Sequence, residues 1–164
     1  MTVLELSRQR AEYLLLTLHL QLIFLLPVRW TESETHESAS EYVDALLRSD
    51  LTLSPAGLNA ECYRLYEAAA LGSVPVLLAE APPAGRCRPG PRLLRRHGAP
   101  FLWLRDWRHL PELLRREAAL TARQRAARRR RLLAWYADFK QSVRNEFINV
   151  IVRKFFQDDN DEAV

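Results

Sequence analysis

Cysteine and histidine are both scarce in this chain, with Cys62 and Cys87 the two cysteines and His19, His36, His97 and His109 the four histidines. Two cysteines and histidines without ligand spacing leave no structural zinc site of the usual kind, and no metal is required. No histidine stands in a recognisable relation to a serine or cysteine, so no nucleophilic pair is indicated and no catalytic residue is named. Five glycines fall in neither G-x-G-x-x-G nor G-x-x-x-x-G-K-[ST], so the dinucleotide fingerprint and the P-loop are absent. An apolar run from Leu14 to Leu26 spans thirteen residues, broken by His19 and Gln21, where a bilayer crossing needs roughly twenty. A signal or anchor with its basic start at Arg8 and Arg10 is the lesser alternative, because no small-x-small cleavage motif follows before Pro27 and Arg29. The expectation there is a buried helix ending in a strand, Leu22–Leu26.

What is present is the composition of a globular protein, 48% hydrophobic and 27% charged. A length of 164 residues suffices for one ordinary domain with a real core, and not for two. The net charge is only +4, with the arginines clustered.

The stretch from Ser49 to Leu78 predicts one βαβ unit. Leu51, Thr52 and Leu53 favour a short strand, and Ser54-Pro55-Ala56-Gly57 is turn punctuation. Asn59 is the expected cap of a helix to about Leu71, with Glu61 in its first turn complementing the dipole. Gly72 suits the left-handed stop, and Val74 to Leu78 is apolar enough for a strand buried on both faces. Cys62, Leu65, Tyr66 and Ala69 form a stripe toward the sheet, with Arg64 and Glu67 off it. The open end of such a unit, with its glycine and outward amides, is where phosphates bind in α/β sheets. By spacing alone, Arg64 and Glu67 read as a solvated surface pair rather than a binding site.

Around this unit, Ser38 or Ser40 is the expected cap of a helix to Ser49, with Tyr42, Val43, Leu46 and Leu47 on its apolar side. Residues 31–38 are a polar loop in which His36 is solvated. Residues 80–92, rich in proline and glycine, are a long irregular loop on the same edge as the site. Leu93 to Arg96 and His97-Gly98 read as a short helix and its stop, and Pro100 to Leu104 as a strand. Pro111 fits the first turn of a helix to about Glu117. Thr121-Ala122-Arg123-Gln124 is a capping box opening a long helix to Phe139 or further. Leu132, Tyr136, Phe139 and Val143, with Trp135 and Phe147 beside them, form its apolar face. Its first turns carry Arg123, Arg125, Arg128, Arg129, Arg130 and Arg131, which read as a solvated face. No RNA-recognition signature, zinc finger or helix-turn-helix accompanies them, so no nucleic-acid partner is expected.

The run Ser49-Asp50-Leu51-Thr52-Leu53-Ser54-Pro55-Ala56-Gly57, followed by Asn59, Glu61-Cys62-Tyr63-Arg64, Tyr66-Glu67-Ala68 and Gly72-Ser73-Val74-Pro75-Val76, resembles the exostosin-type glycosyltransferases. Those carry a strand, a Pro-x-Gly turn, an Arg-x-x-Glu-Ala helix and a Gly-x-x-Pro-Val strand. The likeness extends from about Glu32 through Phe156, through Gly98-Ala99-Pro100-Phe101, Trp107, Leu110-Pro111, Trp135-Tyr136 and Phe139-Lys140. It divides the chain into residues 1–30 without a family match, a nucleotide-sugar-binding domain over 31–156, and an acidic tail over 157–164.

The resemblance implies an α/β fold, a Rossmann-like parallel sheet flanked by helices, forming the C-terminal half of a GT-B glycosyltransferase with a long C-terminal helix. Nearest within that family is a xylose-transferring branch. It implies UDP-xylose as donor, the ribitol-phosphate glycan of α-dystroglycan as acceptor, inversion at the sugar, and no metal or further cofactor. It also implies a type II membrane protein of the Golgi lumen, whose anchor is not evident here, and a missing N-terminal domain supplying the general base. The family glutamate holds the ribose hydroxyls, while the arginine and the turn amides hold the diphosphate. Carried over, these are Glu67, Arg64 and the turn of Ser54, Pro55, Gly57 and Asn59. Where the family commonly has a cysteine, this chain has Ser54. Cys62 and Cys87 also occur at family positions, and two readings stay open, a disulfide in a luminal enzyme or a buried free thiol at Cys62. Two other functions remain alternatives: an interaction protein keeping only the fold, and an arginine-rich RNA-binding module. Asp159-Asn160-Asp161 is formally an Asp-x-Asp triplet, but in a polar terminus with no strand before it.

Overall fold

Short β-favouring runs separated by helices can bury both faces only in a parallel sheet, and that is the arrangement found. The computed structural model describes residues 22–23, 35–55, 61–79 and 91–156. Among them, β1 (Leu22–Ile23), β2 (Leu51–Leu53), β3 (Val74–Leu78) and β4 (Leu102–Leu104) form one parallel sheet in the order β1-β2-β3-β4. Leu51 pairs with Leu22 and Val74, Leu53 with Val76, and Val76 with Leu102. All three residues of β2 are buried, and the one polar side chain among them, Thr52, shares a 2.6 Å hydrogen bond with Ser73. Pro75 tolerates the middle of the sheet because of its direction. Val74 donates to the Asp50 carbonyl and Val76 accepts from Ser54, so both turn toward β2. Pro75 between them turns toward β4, where pairing begins only at Val76, and the amide proton it lacks is not called on.

The strand expected over 22–26 is seen at its first two residues, 24–26 lying outside the described residues. The strand expected from Pro100 begins at Leu102, after a proline that donates nothing, although Phe101 is still buried.

Two helix starts differ from expectation. Helix α1 (His36–Arg48) is capped by Thr35, three residues before Ser38. Ser38 instead completes the capping box, its amide donating to Thr35 Oγ1 while its Oγ accepts from the Thr35 amide, each at 3.1 Å. His36 is thereby helical, and exposed. Helix α2 (Tyr63–Leu71) is capped at Cys62, not Asn59, and has no acidic residue in its first turn. Glu61 therefore precedes the helix. Winding begins only where Leu65, Ala68 and Ala69 come to bear on the sheet. The stop is as expected, with Gly72 left-handed at φ 83° and its amide returning to the Ala69 carbonyl.

Helix α3 (Arg92–Arg96) ends before the left-handed Gly98. A 3₁₀ turn at Trp107–His109, capped by the Asp106 side chain, runs into α4 (Leu110–Ala118). Helix α5 (Ala122–Phe156) opens on the expected capping box, Thr121 donating its amide to Gln124 Oε1 at 2.8 Å. Its 35 residues extend about 52 Å at 1.5 Å per residue.

The arginine run of α5 is only partly a solvated face. Arg128 pairs with the buried Glu117 of α4, and Arg125 reaches Asp50 at 3.5 Å and donates to the Leu120 carbonyl at 2.5 Å. Arg129 Nη2 donates to the Leu47 carbonyl at 2.8 Å and the Leu71 carbonyl at 2.5 Å. One guanidinium thus covers the unsatisfied carbonyls, and the negative dipole ends, of α1 and α2 together. Arg123, Arg130 and Arg131 are exposed.

Further along α5, Leu132 and Phe139 are buried, and Trp135 stacks on Phe139 at 5.1 Å while donating to the His97 carbonyl at 2.7 Å. Trp135 also meets Phe101 edge-on, which ties α5 to the entry of β4. Phe147 does not join this face and is 66% exposed, because α5 has by then run past the sheet. Among the described residues no helix is long and apolar enough to cross a membrane.

Candidate functional site

At the carboxyl end of β2 the chain leaves the sheet through Ser54 and returns at Cys62 to start α2. Ser54 is committed to that framework. Its amide donates to the Val76 carbonyl at 2.9 Å, and its buried hydroxyl lies 3.0 Å from Cys62 Sγ. Pro55 is exposed and has no amide proton. Donors for an anion at this turn therefore begin beyond Pro55, and Gly57 and Asn59 lie outside the described residues. Cys62 is a free, half-buried thiol, while Cys87 lies outside the described residues together with 80–90.

Arg64 and Glu67 stand on the first two turns of α2 and face α1. Their spacing does not produce an ion pair. Glu67 turns instead to Tyr42 of α1, whose hydroxyl donates to Oε2 at 2.5 Å, and no other bond to Glu67 is found among the described residues. The buried Arg64 Nε has no partner among the described residues. The two side chains are therefore not paired with one another, and Glu67 is exposed.

The electrostatics agree with this grouping. The Tyr42 phenol is pushed well above its ordinary value, first by burial and then by the Glu67 carboxylate, with the Arg64 guanidinium opposing. Tyr136 of α5 is raised by burial and, after it, by the charge of Glu67. Tyr136 stacks with Phe139, which stacks in turn on Tyr66. Tyr66 donates to Glu61 Oε2 at 2.9 Å, and its phenol is raised by burial and then by Glu61.

Of the sequence-based site residues, Arg64 and Glu67 both lie near Tyr42, Ser54 and Pro55 follow the end of β2, and Gly57 and Asn59 lie outside the described residues. Tyr42 is the member that sequence reading placed only on an apolar helix face. Chemically, Glu67 Oε1 is free among the described residues to accept from hydroxyls, and Arg64 is a donor suited to phosphate oxygens. No group of histidine, cysteine, aspartate or glutamate among the described residues has the geometry to hold a metal ion.

Comparison with known proteins gives a consistent result. Ribitol-5-phosphate xylosyltransferase 1 of Danio rerio is 45% identical over 133 residues, covering 79% of this chain. The Homo sapiens protein of the same name is 41% identical over 133 residues and covers 77% of the chain, and that of Mus musculus is 41% identical over 135 and covers 78%. The chain spans about 30% of the length of each of these relatives. No solved structure matches it. The RXYLT1 C-terminal domain family matches residues 5–156, taking in most of the N-terminal segment in which no resemblance was read. With nearly all of its length inside that match, this chain belongs to the RXYLT1 C-terminal domain family.

Proposed function

We propose that this chain is the donor-binding part of an inverting glycosyltransferase of the exostosin GT-B type, using UDP-xylose. The observation that carries the reading is the convergence of Arg64 and Glu67, unpaired with one another, beside the carboxyl end of β2 in a chain of this family. Glu67 accepts from the ribose hydroxyls. Arg64 and the amides beyond Pro55 hold the diphosphate at the edge where parallel sheets bind phosphates. In the reaction the acceptor hydroxyl oxygen bonds to C1 of xylose, the bond from C1 to the diphosphate oxygen breaks, and UDP departs with the electron pair. Arg64 stabilises the charge that develops on that oxygen. A general base takes the acceptor proton, and it belongs to the part of the enzyme that this chain does not span.

The relatives' name points to ribitol 5-phosphate as acceptor, and we place the reaction on the ribitol-phosphate glycan of α-dystroglycan in the Golgi lumen. The remaining domain meets this one across a cleft, along the exposed apolar end of α5 at Phe147, Phe155 and Phe156. No metal or further cofactor takes part.

The reading is tested by calorimetric titration of the chain with UDP, UDP-xylose and UDP-glucuronate. UDP-xylose is expected to bind, and Arg64→Ala and Glu67→Ala each to weaken it at least roughly tenfold, the loss of a charged hydrogen-bonding partner. Unchanged affinity in both folded variants would refute it. The chain alone is expected to transfer no xylose.

A further inference from the structure

We propose that Tyr42 is a positioning residue for this site: its hydroxyl holds Glu67 away from Arg64 and presents Oε1 to the ribose diol, setting discrimination between ribo- and deoxyribonucleotides. The inference rests on the donor-binding reading above.

Glutamate and arginine three residues apart on a helix ordinarily attract each other. Here they do not pair, and the competing partner is visible: Tyr42 Oη donates to Glu67 Oε2 at 2.5 Å. The two groups come from helices 25 residues apart in sequence, so the contact depends on how α1 lies against α2. Arg129 bonds carbonyls in the last turns of both helices and so ties them together. A phenol on a half-buried ring has little freedom to leave, whereas an exposed glutamate without it samples several rotamers. Because burial and the neighbouring carboxylate keep Tyr42 protonated, it acts toward Glu67 only as a donor. A carboxylate bonded through one oxygen and free at the other retains acceptor sites for two adjacent hydroxyls. Removing the Tyr42 hydroxyl frees the Glu67 carboxylate to leave the pose in which Oε1 faces the ribose diol, so the loss falls on the ribose hydroxyls and not on the diphosphate.

The test is calorimetric titration of the full chain with UDP and 2′-deoxy-UDP, for the unsubstituted protein, Tyr42→Phe, Glu67→Gln and the double variant, with thermal melting followed alongside. The unsubstituted chain should prefer UDP by roughly tenfold, the worth of a hydrogen bond to a charged group. Tyr42→Phe should lower that preference roughly fivefold in a variant that still melts as one cooperative unit above the titration temperature. Glu67→Gln should abolish it, and adding Tyr42→Phe should then change nothing. If Glu67→Gln abolishes the preference and Tyr42→Phe preserves it, the positioning role is wrong and the donor site stands. Equal weakening of both nucleotides by Tyr42→Phe also overturns the role, because it signals general structural loss. If UDP does not bind, or the preference ignores Glu67, the donor-site reading fails and the inference with it.

Discussion

Ser54 and Cys62 meet at 3.0 Å across the base of the connection from β2 to α2, close enough that two sulfurs there need only draw in to about 2 Å to bond. Ser54→Cys is therefore expected to form a disulfide with Cys62 on mild oxidation, stabilising the fold by roughly 2–3 kcal/mol. Mass spectrometry of the alkylated protein decides it: Cys87 alone should take up the reagent, and alkylation at all three positions would contradict the geometry. The phenols give a second residue-level expectation. Tyr42 and Tyr66 ionise in the folded chain well above the ordinary 10.0, each chiefly because of burial. In the unfolded chain they titrate near 10. Above that pH the unfolded state has released protons that the folded state keeps, so this contribution is complete below pH 10 and is lost as pH rises. Urea melts at pH 9 and pH 11 should show the fall, and Tyr42→Phe with Tyr66→Phe should flatten it.

At the scale of elements, one side chain, Arg129 of α5, bonds to both α1 and α2. A Cβ at Gly72 would lie 2.8 Å from Arg129 Cγ and Nε, and its φ of 83° is itself unfavourable for other residues. Gly72→Ala is expected to cost about 1–3 kcal/mol, and Arg129→Ala about 2 kcal/mol for the two carbonyl bonds. Since the second substitution removes the first one's clash, the double variant should fall short of additivity by ~1 kcal/mol in urea unfolding. Strict additivity would mean the approach is not real. The same elements show what was legible beforehand. The stop at Gly72, the box at Thr121 and Gln124 and the apolar strands are local signals, and each was read directly from sequence. The start of α2 was misplaced because Asn59 is the better cap chemically, while the place where winding begins is set by burial against the sheet. The start of α1 was missed because Thr35-x-x-Ser38 is a capping box with serine in the place of glutamate. The arginines and Tyr42 were illegible for another reason. Arg129 finds its carbonyls 58 and 82 residues away, and Tyr42 finds Glu67 at 25. No local pattern encodes those distances.

For the whole molecule, the arginine run that opens α5 divides into two populations. Arg125, Arg128 and Arg129 are spent on an ion pair, an ionic contact and helix-end carbonyls, which leaves Arg123, Arg130 and Arg131 facing solvent. The site proposed for the donor lies elsewhere, at the N-terminal half of α2 against Tyr42. Mapping where a charged sugar nucleotide binds is therefore the most direct measurement. Two-dimensional amide NMR spectra of the labelled chain, recorded while UDP-xylose is added, report it residue by residue. The account predicts saturable shifts concentrated at Glu61 to Glu67 and at Tyr42, with the exposed arginines of α5 silent. Shifts confined to Arg123 through Arg131, fading as salt rises, would mean that an anion meets only surface charge and would contradict the donor site.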